Sequence, residues 1–430
     1  MPTSIPYGSN QAVRLQSVGL FAASMQRQTL INRITGQLPK QPSAENTLRW
    51  QSDNAMPIVR CMDLTKTAGD EITIDLINPI GGKPVMGEQN IEGKGDRMSF
   101  SDMALKINQS RKAISAGGKM TQQRTPHDLR KLARAQGDGY MKRLEDQLCM
   151  VHLAGARGFA NDAMWAVPLE TDADYTDIVV NSVRTPTYNR HYVATGSGLA
   201  QAADSTNGWA AASLASTDVM DLDAIDALRS MIDDMAFPPT PIMLPGDEAA
   251  MDDPLYLLMV SAPQYESIKK SDSAAFRTFQ AAAHARASIS GQHPLFRGEV
   301  GLWNGILVKK MSRPIRFGAG NSVKYWPAAS RFTANLAEAS MSTQTVGVGV
   351  TVDRALLLGG QALAEAYGKT RQTGNPYFWS EKELDHGDKV EVAIGMIGGK
   401  SKVRFRMDHG SGAEDTDFGV IAIDTAVSVV

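Results

Sequence analysis

Residues 71–76, Glu71-Ile72-Thr73-Ile74-Asp75-Leu76, alternate polar and apolar side chains with period two, which puts Ile72, Ile74 and Leu76 on one face of a strand. A return arm keeps the period but changes parity once: Met98 and Phe100 share one phase, while Met103, Leu105 and Ile107 share the other. One extra residue near Ser101 or Asp102 reconciles the two, so the pattern predicts a β-bulge there. Between the arms, residues 78–97 hold Pro79, Gly81, Gly82, Pro84, Gly87, Gly93 and Gly95 among six charged side chains, a composition that cannot make a core. Connections this long without structure of their own are usually functional or disordered, and a two-stranded ribbon alone in water is marginal. The ribbon therefore either lies flexibly on its own domain or projects and is supported by a neighbouring subunit.

A long helix follows. Thr125 can cap it, Pro126 suits the first helical position and Asp128 complements the positive end of the dipole, so the sequence predicts a start at Pro126. Leu129, Leu132, Gln136, Tyr140, Leu144, Leu148 and Val151 recur every three or four residues as the expected buried stripe. Gly137 and Gly139 each cost about 1 kcal/mol relative to Ala in mid-helix, which points to a bend or a close backbone approach.

The full chain of 430 residues is 43% hydrophobic and 21% charged, a balance that fits two or three soluble domains. A net charge of -2 argues against a general nucleic-acid binder, because nonspecific phosphate affinity needs concentrated Lys and Arg. No apolar run nears the roughly 20 residues that span a bilayer. The N-terminus lacks the basic-then-apolar pattern of a secretion signal, and the expectation is a protein that folds in the cytoplasm. Cys61 and Cys149 are too few for a disulfide framework and read as buried thiols in a reducing compartment.

Before the ribbon, Pro2, Pro6, Pro39 and Pro42 surround one helix-like segment, Gln11 to Ile34, as in an extended arm. After the long helix, residues 155–215 read as loops and short strands, among them Asp177-Ile178-Val179-Val180 and the segment from Tyr188 to Val193. Asp221 to Met235 is an amphipathic helix stopped by Phe237-Pro238-Pro239. Leu255 to Val260 reads as an inner strand, Ser273 to Ala287 as a helix, and Leu302 to Val308 as a turn and a second inner strand. Asp353 can cap a helix from Arg354 to Tyr367 closed by Gly368. Val390 to Ile394, a turn at Gly398-Gly399, and Lys402 to Met407 predict a hairpin, with Val420 to Ile423 as a last strand.

Chemistry-bearing motifs fail on inspection. Gly368-Lys369-Thr370 has Leu363, and Gly399-Lys400-Ser401 has Ile394, where a phosphate loop needs glycine; Gly347-Val348-Gly349 lacks the third glycine of a dinucleotide turn. The seven histidines show no metal-ligand spacing. Ser267-Ile268-Lys269-Lys270 fits Ser-x-x-Lys without its companion motifs, and reads as helix surface. Lys402, Arg404 and Arg406 share a strand face, read either as charges that blunt an edge strand or as contacts to an acidic surface or nucleic acid, the first favoured. Tyr377-Phe378-Trp379 reads as a packing anchor in preference to a base-stacking platform.

Several segments, taken in order, carry a resemblance: Asp63-Leu64-Thr65-Lys66, Gly69-Asp70-Glu71-Ile72-Thr73, Thr125-Pro126-His127-Asp128-Leu129-Arg130, Gly301-Leu302-Trp303-Asn304-Gly305 and Arg354-Ala355-Leu356-Leu357-Leu358-Gly359. Together they resemble the tailed-bacteriophage major capsid proteins, the family typified by the large-virion-polymerase podoviruses. The resemblance covers most of the chain and is thinnest over residues 155–290. It implies an α+β chain with the tailed-phage and herpesvirus capsid fold. The implied parts are an N-terminal arm and lead-in (1–68), an extended loop (69–110), a peripheral domain with a spine helix (111–160), a mostly axial domain with return strands (161–340) and peripheral C-terminal strands (341–430). It further implies a structural protein, not an enzyme, without a cofactor or a membrane. Pentamers and hexamers of it would tile an icosahedral head shell around packaged double-stranded DNA held without sequence-specific binding. Portal and scaffolding or decoration proteins would be partners, and the shell would assemble in the bacterial host cytoplasm.

Under this reading Lys83, Glu88, Glu92, Lys94 and Arg97, near the ribbon tip, are the candidate intersubunit contacts. Some relatives crosslink Lys to Asn covalently, for which Lys83 or Lys94 would be donors by position. Two alternatives remain at this stage: an encapsulin-type cellular compartment with the same fold, and a soluble hydrolase built on Ser and His.

Overall fold

The structure is a computed structural model that describes residues 55–428 together with residues 34, 35 and 52, apart from 66–68, 78–82, 96–97, 99, 125–127, 197, 212–213, 245–253, 290–293, 297–299, 312, 371–373 and 409–411. The N-terminal side supplies β1 (Ile58–Cys61), the ribbon strands β2 (Glu71–Ile77) and β3 (Phe100–Lys106), β4 (Asn108–Gly118), α1 (Lys119–Arg124) and the long helix α2 (Leu129–Ala154). There follow α3 (Tyr175–Val179), β5 (His191–Thr195), β6 (Gly198–Gln201), α4 (Leu222–Asp234), β7 (Tyr256–Val260), α5 (Ala262–Ser271), α6 (Ser273–Ile289), β8 (Val300–Trp303) and β9 (Ile306–Lys310). The remainder is strand: β10 (Ile315–Phe317), β11 (Ser322–Tyr325), β12 (Ser342–Thr345), β13 (Thr351–Leu358), β14 (Leu363–Tyr367), β15 (Tyr377–Leu384), β16 (Lys389–Lys402), β17 (Arg404–Asp408), β18 (Ala413–Asp417) and β19 (Val420–Val427). The arm segment Gln11 to Ile34 lies outside the described residues except for Ile34, which is buried.

Eight strands form one mixed sheet in the order β6-β5-β19-β13-β7-β9-β8, with β10 paired to the start of β13. Both faces are covered, which is why its central strands read as unbroken apolar runs. Leu257, Met259, Leu307, Leu356 and Ala422 face one core cluster, while Leu258, Val260, Val308, Leu357 and Ile423 face another closed by Ile225, Leu228, Ile268 and Phe279 of the helices. Leu255 to Val260 is thus the inner strand its composition suggested. The 300–310 hairpin turns through Asn304 and Gly305, both at positive φ. Gly301 has no alternative there, because the Phe279 ring occupies the space a Cβ would need.

The expected helix from Arg354 to Tyr367 is instead two strands, β13 and β14, separated by Gly359 and Gly360. A short apolar run does not distinguish a doubly buried strand from a helix, and here both faces of Ala355-Leu356-Leu357-Leu358 are buried. Asp353, offered as that helix's cap, is a buried partner of Arg316, whose Nε and Nη2 donate to it at 2.7 and 2.8 Å. Arg354 also points inward. Its guanidinium donates to Asp424 at 2.7 and 2.8 Å, and Asp424 further accepts from the Trp209 indole at 2.9 Å.

A second sheet orders as β1-β14-β16-β15, with β4 also paired to β16. β16 runs straight through Gly398-Gly399, which the sequence assigned to a turn. Glycine is required there for approach, not for reversal: the Lys106 carbonyl fills the position a Cβ on Gly399 would take. The alternation beyond it has the expected phase but the wrong surroundings. Lys402 and Arg404 are buried against Asp417 at 2.6 and 2.8 Å, and Arg406 meets Asp415 at 3.3 Å, so the charges satisfy acidic β18 and do not blunt an edge.

The long helix α2 crosses this second sheet. It begins at Leu129, three residues later than expected, because Asp128 is the cap and its carboxylate accepts from the Lys131 N–H at 3.1 Å. Its buried stripe in the first half is Ala133, Gly137 and Met141, while Leu132 and Gln136 are exposed. Small residues make this contact: Gly137 lies where a side chain would overlap Ile394 of β16, whereas Gly139 faces open space. From Leu144 on, the helix is buried nearly all round. Arg354 donates to the Ala154 carbonyl at 2.9 Å, tying the helix end to the eight-stranded sheet. The 177–180 run, read among short strands, closes the short helix α3 instead. Tyr377 and Trp379 of β15 are buried, with the Arg134 guanidinium 4.2 Å from the Trp379 ring centre.

Candidate intersubunit surface

The ribbon is built from its root outward. β2 and β3 pair without interruption from Glu71 opposite Lys106 to Ile77 opposite Phe100, so the expected bulge at Ser101 or Asp102 is absent. The parity change has a simpler cause. Met103 and Leu105 are buried against Ala364, Ala366, Val403 and Phe405, whereas Phe100 turns to the opposite face and is 63% exposed. Asp75 and Asp102 stand directly opposite one another on that outer face.

Asn181 fixes the root. Its side chain accepts from the Lys106 N–H at 2.9 Å and donates to the Lys106 carbonyl at 2.9 Å and the Lys400 carbonyl at 3.1 Å. The preceding residue, Val180, has φ 63° and ψ −60°, and the Asn181 N–H closes a tight turn onto the Val179 carbonyl at 2.7 Å. Such a turn is rare and strained, the more so for a β-branched residue. Sequence reading missed Asn181, since nothing local marks an asparagine whose partners are 75 and 219 residues away.

At the other end, residues 86–95 are all exposed, and no described atom lies within 4 Å of where a Cβ would stand at Gly87, Gly93 or Gly95. This favours projection over a hairpin lying on its own domain. Lys83, Glu88, Glu92 and Lys94 are exposed, and none forms an ion pair with a described residue; Arg97 lies outside the described residues. Two turns shape the segment, at Gly87 and Gly93, with the Lys94 N–H donating to the Ile91 carbonyl at 3.1 Å. The sequence reading counted charges here and overlooked the apolar side chains: Met86 is 71% and Ile91 69% exposed.

An open groove of about 520 Å³ runs between α2 and β4, lined by Lys112, Ile114, Gln136, Gly139, Tyr140 and Arg143. Under the sheet Glu365 is buried among Arg60, at 3.1 Å, Lys400 and the Cys149 thiol, which donates to it at 3.3 Å. Burial alone would raise the Glu365 carboxyl, but Lys400 and Arg60 hold it down to about 2. Cys149 is therefore buried as expected, with burial pushing its thiol well up. This centre is enclosed and structural. Among the described residues no three His, Cys, Asp or Glu side chains gather as a metal site. Ser267 donates to the Pro263 carbonyl at 3.1 Å, and Lys270 pairs with Glu266 at 3.0 Å. No helix of the described residues is long and apolar enough to cross a membrane.

Comparison with known proteins agrees with this architecture. The family model described as "Phage capsid protein" matches residues 4–429. Among solved structures, the capsid of Ralstonia phage GP4 is similar at 27% identity and a TM-score of 0.65, over 91% of this chain and 93% of that one. The cyanophage Pam1 capsid is similar in fold at 15% identity and a TM-score of 0.57, over 92% and 96%. The head of Helicobacter pylori bacteriophage KHP40 is similar in fold at 13% identity and a TM-score of 0.53, over 87% and 88%. The search of curated proteins gives no match.

Proposed function

The chain belongs to the phage capsid protein family and is a major capsid protein that forms the head shell, and on that premise we propose that its ribbon is the brace between neighbouring copies. Each copy lays residues 83–95 across an adjacent subunit, and the N-terminal arm, residues 1–68, reaches another. The observation that carries this reading is the exposure of Met86 and Ile91 on a segment, residues 86–95, that is exposed throughout. Large apolar side chains held away from a core are the mark of a contact surface.

The same reading divides the chain into extended loop (69–110), peripheral parts (111–160 and 341–430) and a mostly axial part (161–340). Copies arrange as pentamers and hexamers in an icosahedral shell around double-stranded DNA, with a portal and scaffolding or decoration proteins as partners, assembled in the host cytoplasm. Individually modest contacts add around a closed lattice, because each successive one forms at high effective concentration. A net charge near zero lets like copies pack side by side.

Deletion of Pro79 to Asp96 tests the brace. The expected result is a soluble, folded chain that sediments as a small species and forms no shells under electron microscopy. Shells of normal size from the deleted chain would overturn it.

A further inference from the structure

We propose that a small cavity between α2 and β16 binds one ordered water molecule, which joins the Lys400 ammonium to the His152 imidazole at the turn that anchors the ribbon.

The sequence of β16 makes the space. Met396, Gly398 and Lys400 alternate onto one face of the strand, and all three line the cavity together with Leu148 and His152 of α2. Gly398 brings no side chain to that row, and a volume of about 20 Å³ remains. About 10–15 Å³ is enough for one water, provided two to four polar groups can bond it. Two such groups stand in the wall with bonds still to make.

The first is Lys400. It is buried, and burial works against its charge, yet its neighbours, Glu365 among them, raise it above the ordinary lysine value. It is therefore an ammonium with three N–H donors. Glu365 is the one acceptor the side chain has among the described residues. Leaving the remaining donors of a buried cation bare is costly.

The second is His152, also buried, whose Nε2 lies 3.2 Å from the Val179 carbonyl. A carbonyl can only accept, so Nε2 carries the hydrogen and Nδ1 carries the lone pair. Burial lowers the imidazole to about 4, which keeps the ring neutral and Nδ1 an acceptor at neutral pH. Among the described residues Nδ1 has no partner.

One water answers both demands. Its oxygen accepts from Lys400 and one of its hydrogens goes to Nδ1; Ser110 also lines the cavity, and its hydroxyl can accept the other. Glu365, Lys400, the water, His152 and the Val179 carbonyl then form a single hydrogen-bonded chain. It ends where the ribbon is anchored. The same Val179 carbonyl accepts the Asn181 N–H at 2.7 Å, and Asn181 holds Lys106. The water thus connects the buried charge centre to the turn that aims the asparagine.

Electron cryomicroscopy of shells of the full chain, at a resolution that shows ordered water, tests the site directly. The expected result is one peak within hydrogen-bonding distance of both Lys400 Nζ and His152 Nδ1. An empty cavity overturns the proposal, and so does a peak that reaches only one of the two groups. A double-mutant cycle on the unassembled chain at neutral pH gives a second readout. His152→Leu should lower the folding equilibrium constant about fivefold more in the parent than in a Lys400→Met background, where the water has already lost its donor. Equal losses in the two backgrounds overturn the bridge. If either variant fails to fold, the peak in the parent shells decides alone.

Discussion

Asn181 grips Lys106 at both poles of its backbone, one oxygen and one nitrogen of the amide each 2.9 Å from its partner. The grip connects the loop after α3 to the last residue of the ribbon, and the same amide reaches the Lys400 carbonyl on β16. Val180 holds that amide in place from a strained backbone conformation. Strain of this kind persists only where surrounding contacts over-determine it.

Asn181→Ala removes all three bonds and is expected to destabilise the chain by about 1–3 kcal/mol, since a typical hydrogen bond contributes about 1 kcal/mol net and backbone groups are left unpaired. Denaturant midpoints measure the loss. Hydrogen exchange should show it concentrated in residues 100–107; unchanged protection there would dismiss the clamp.

Asp146 has a buried oxygen without a partner. Burial, reinforced by Glu145, raises its carboxyl to about 6. A folded-state value above the unfolded one favours the folded chain at low pH, and that advantage is lost as pH rises through 3.8 to about 6. Asp146→Asn should therefore stabilise the chain at pH 7 by up to about 3 kcal/mol, at 1.36 kcal/mol per unit, and by almost nothing below about pH 4. His152 works in the opposite sense. Burial lowers it to about 4, so stability is lost as pH falls from 6.5 toward 4. In the parent chain these two slopes offset one another. Urea midpoints of Asp146→Asn across pH 4–7 should expose the slope of the buried histidines, His152 together with His191, which burial also lowers, and a variant curve parallel to the parent's would refute the assignment.

Two glycines make opposite predictions. At Gly301 a methyl group collides with the buried Phe279 ring, and Gly301→Ala should cost a few kcal/mol, roughly the 1–3 kcal/mol of an overpacked core. Gly139 is helical and meets nothing, so Gly139→Ala should stabilise the chain by about 0.5–1 kcal/mol through helix propensity. Thermal unfolding of the two variants distinguishes them, and equal shifts would contradict the packing described.

What the sequence disclosed follows the reach of each signal. Period-two alternation found β2, and the 3.6-residue period found α4, because both signals are complete within a dozen residues. The order of the segments carried the resemblance to tailed-phage capsids, which the family and fold comparisons support. Arg354 to Tyr367 misled because capping residues and buried apolar residues occur in both helices and inner strands. Gly398-Gly399 misled because a glycine pair marks close approach as well as reversal, and the approaching Lys106 is nearly 300 residues away in the chain. Lys402 and Arg404 could not be seen to be buried until β18 brought Asp417 to them. On the ribbon, charge counting singled out Lys83, Glu88, Glu92 and Lys94 as candidates and passed over Met86 and Ile91, whose exposure only the three-dimensional path of the chain reveals.

The junction at Ile107 has a mechanical side. Ribbon and β4 are one continuous stretch of extended backbone, and β4 is laced to β16 from Asn108 opposite Gly398 to Gly118 opposite Lys389. A pull along the ribbon reaches this ladder lengthwise, as shear. Its rungs then share the load together instead of peeling open one after another, so a load applied to the ribbon is borne by the strongest direction of the sheet.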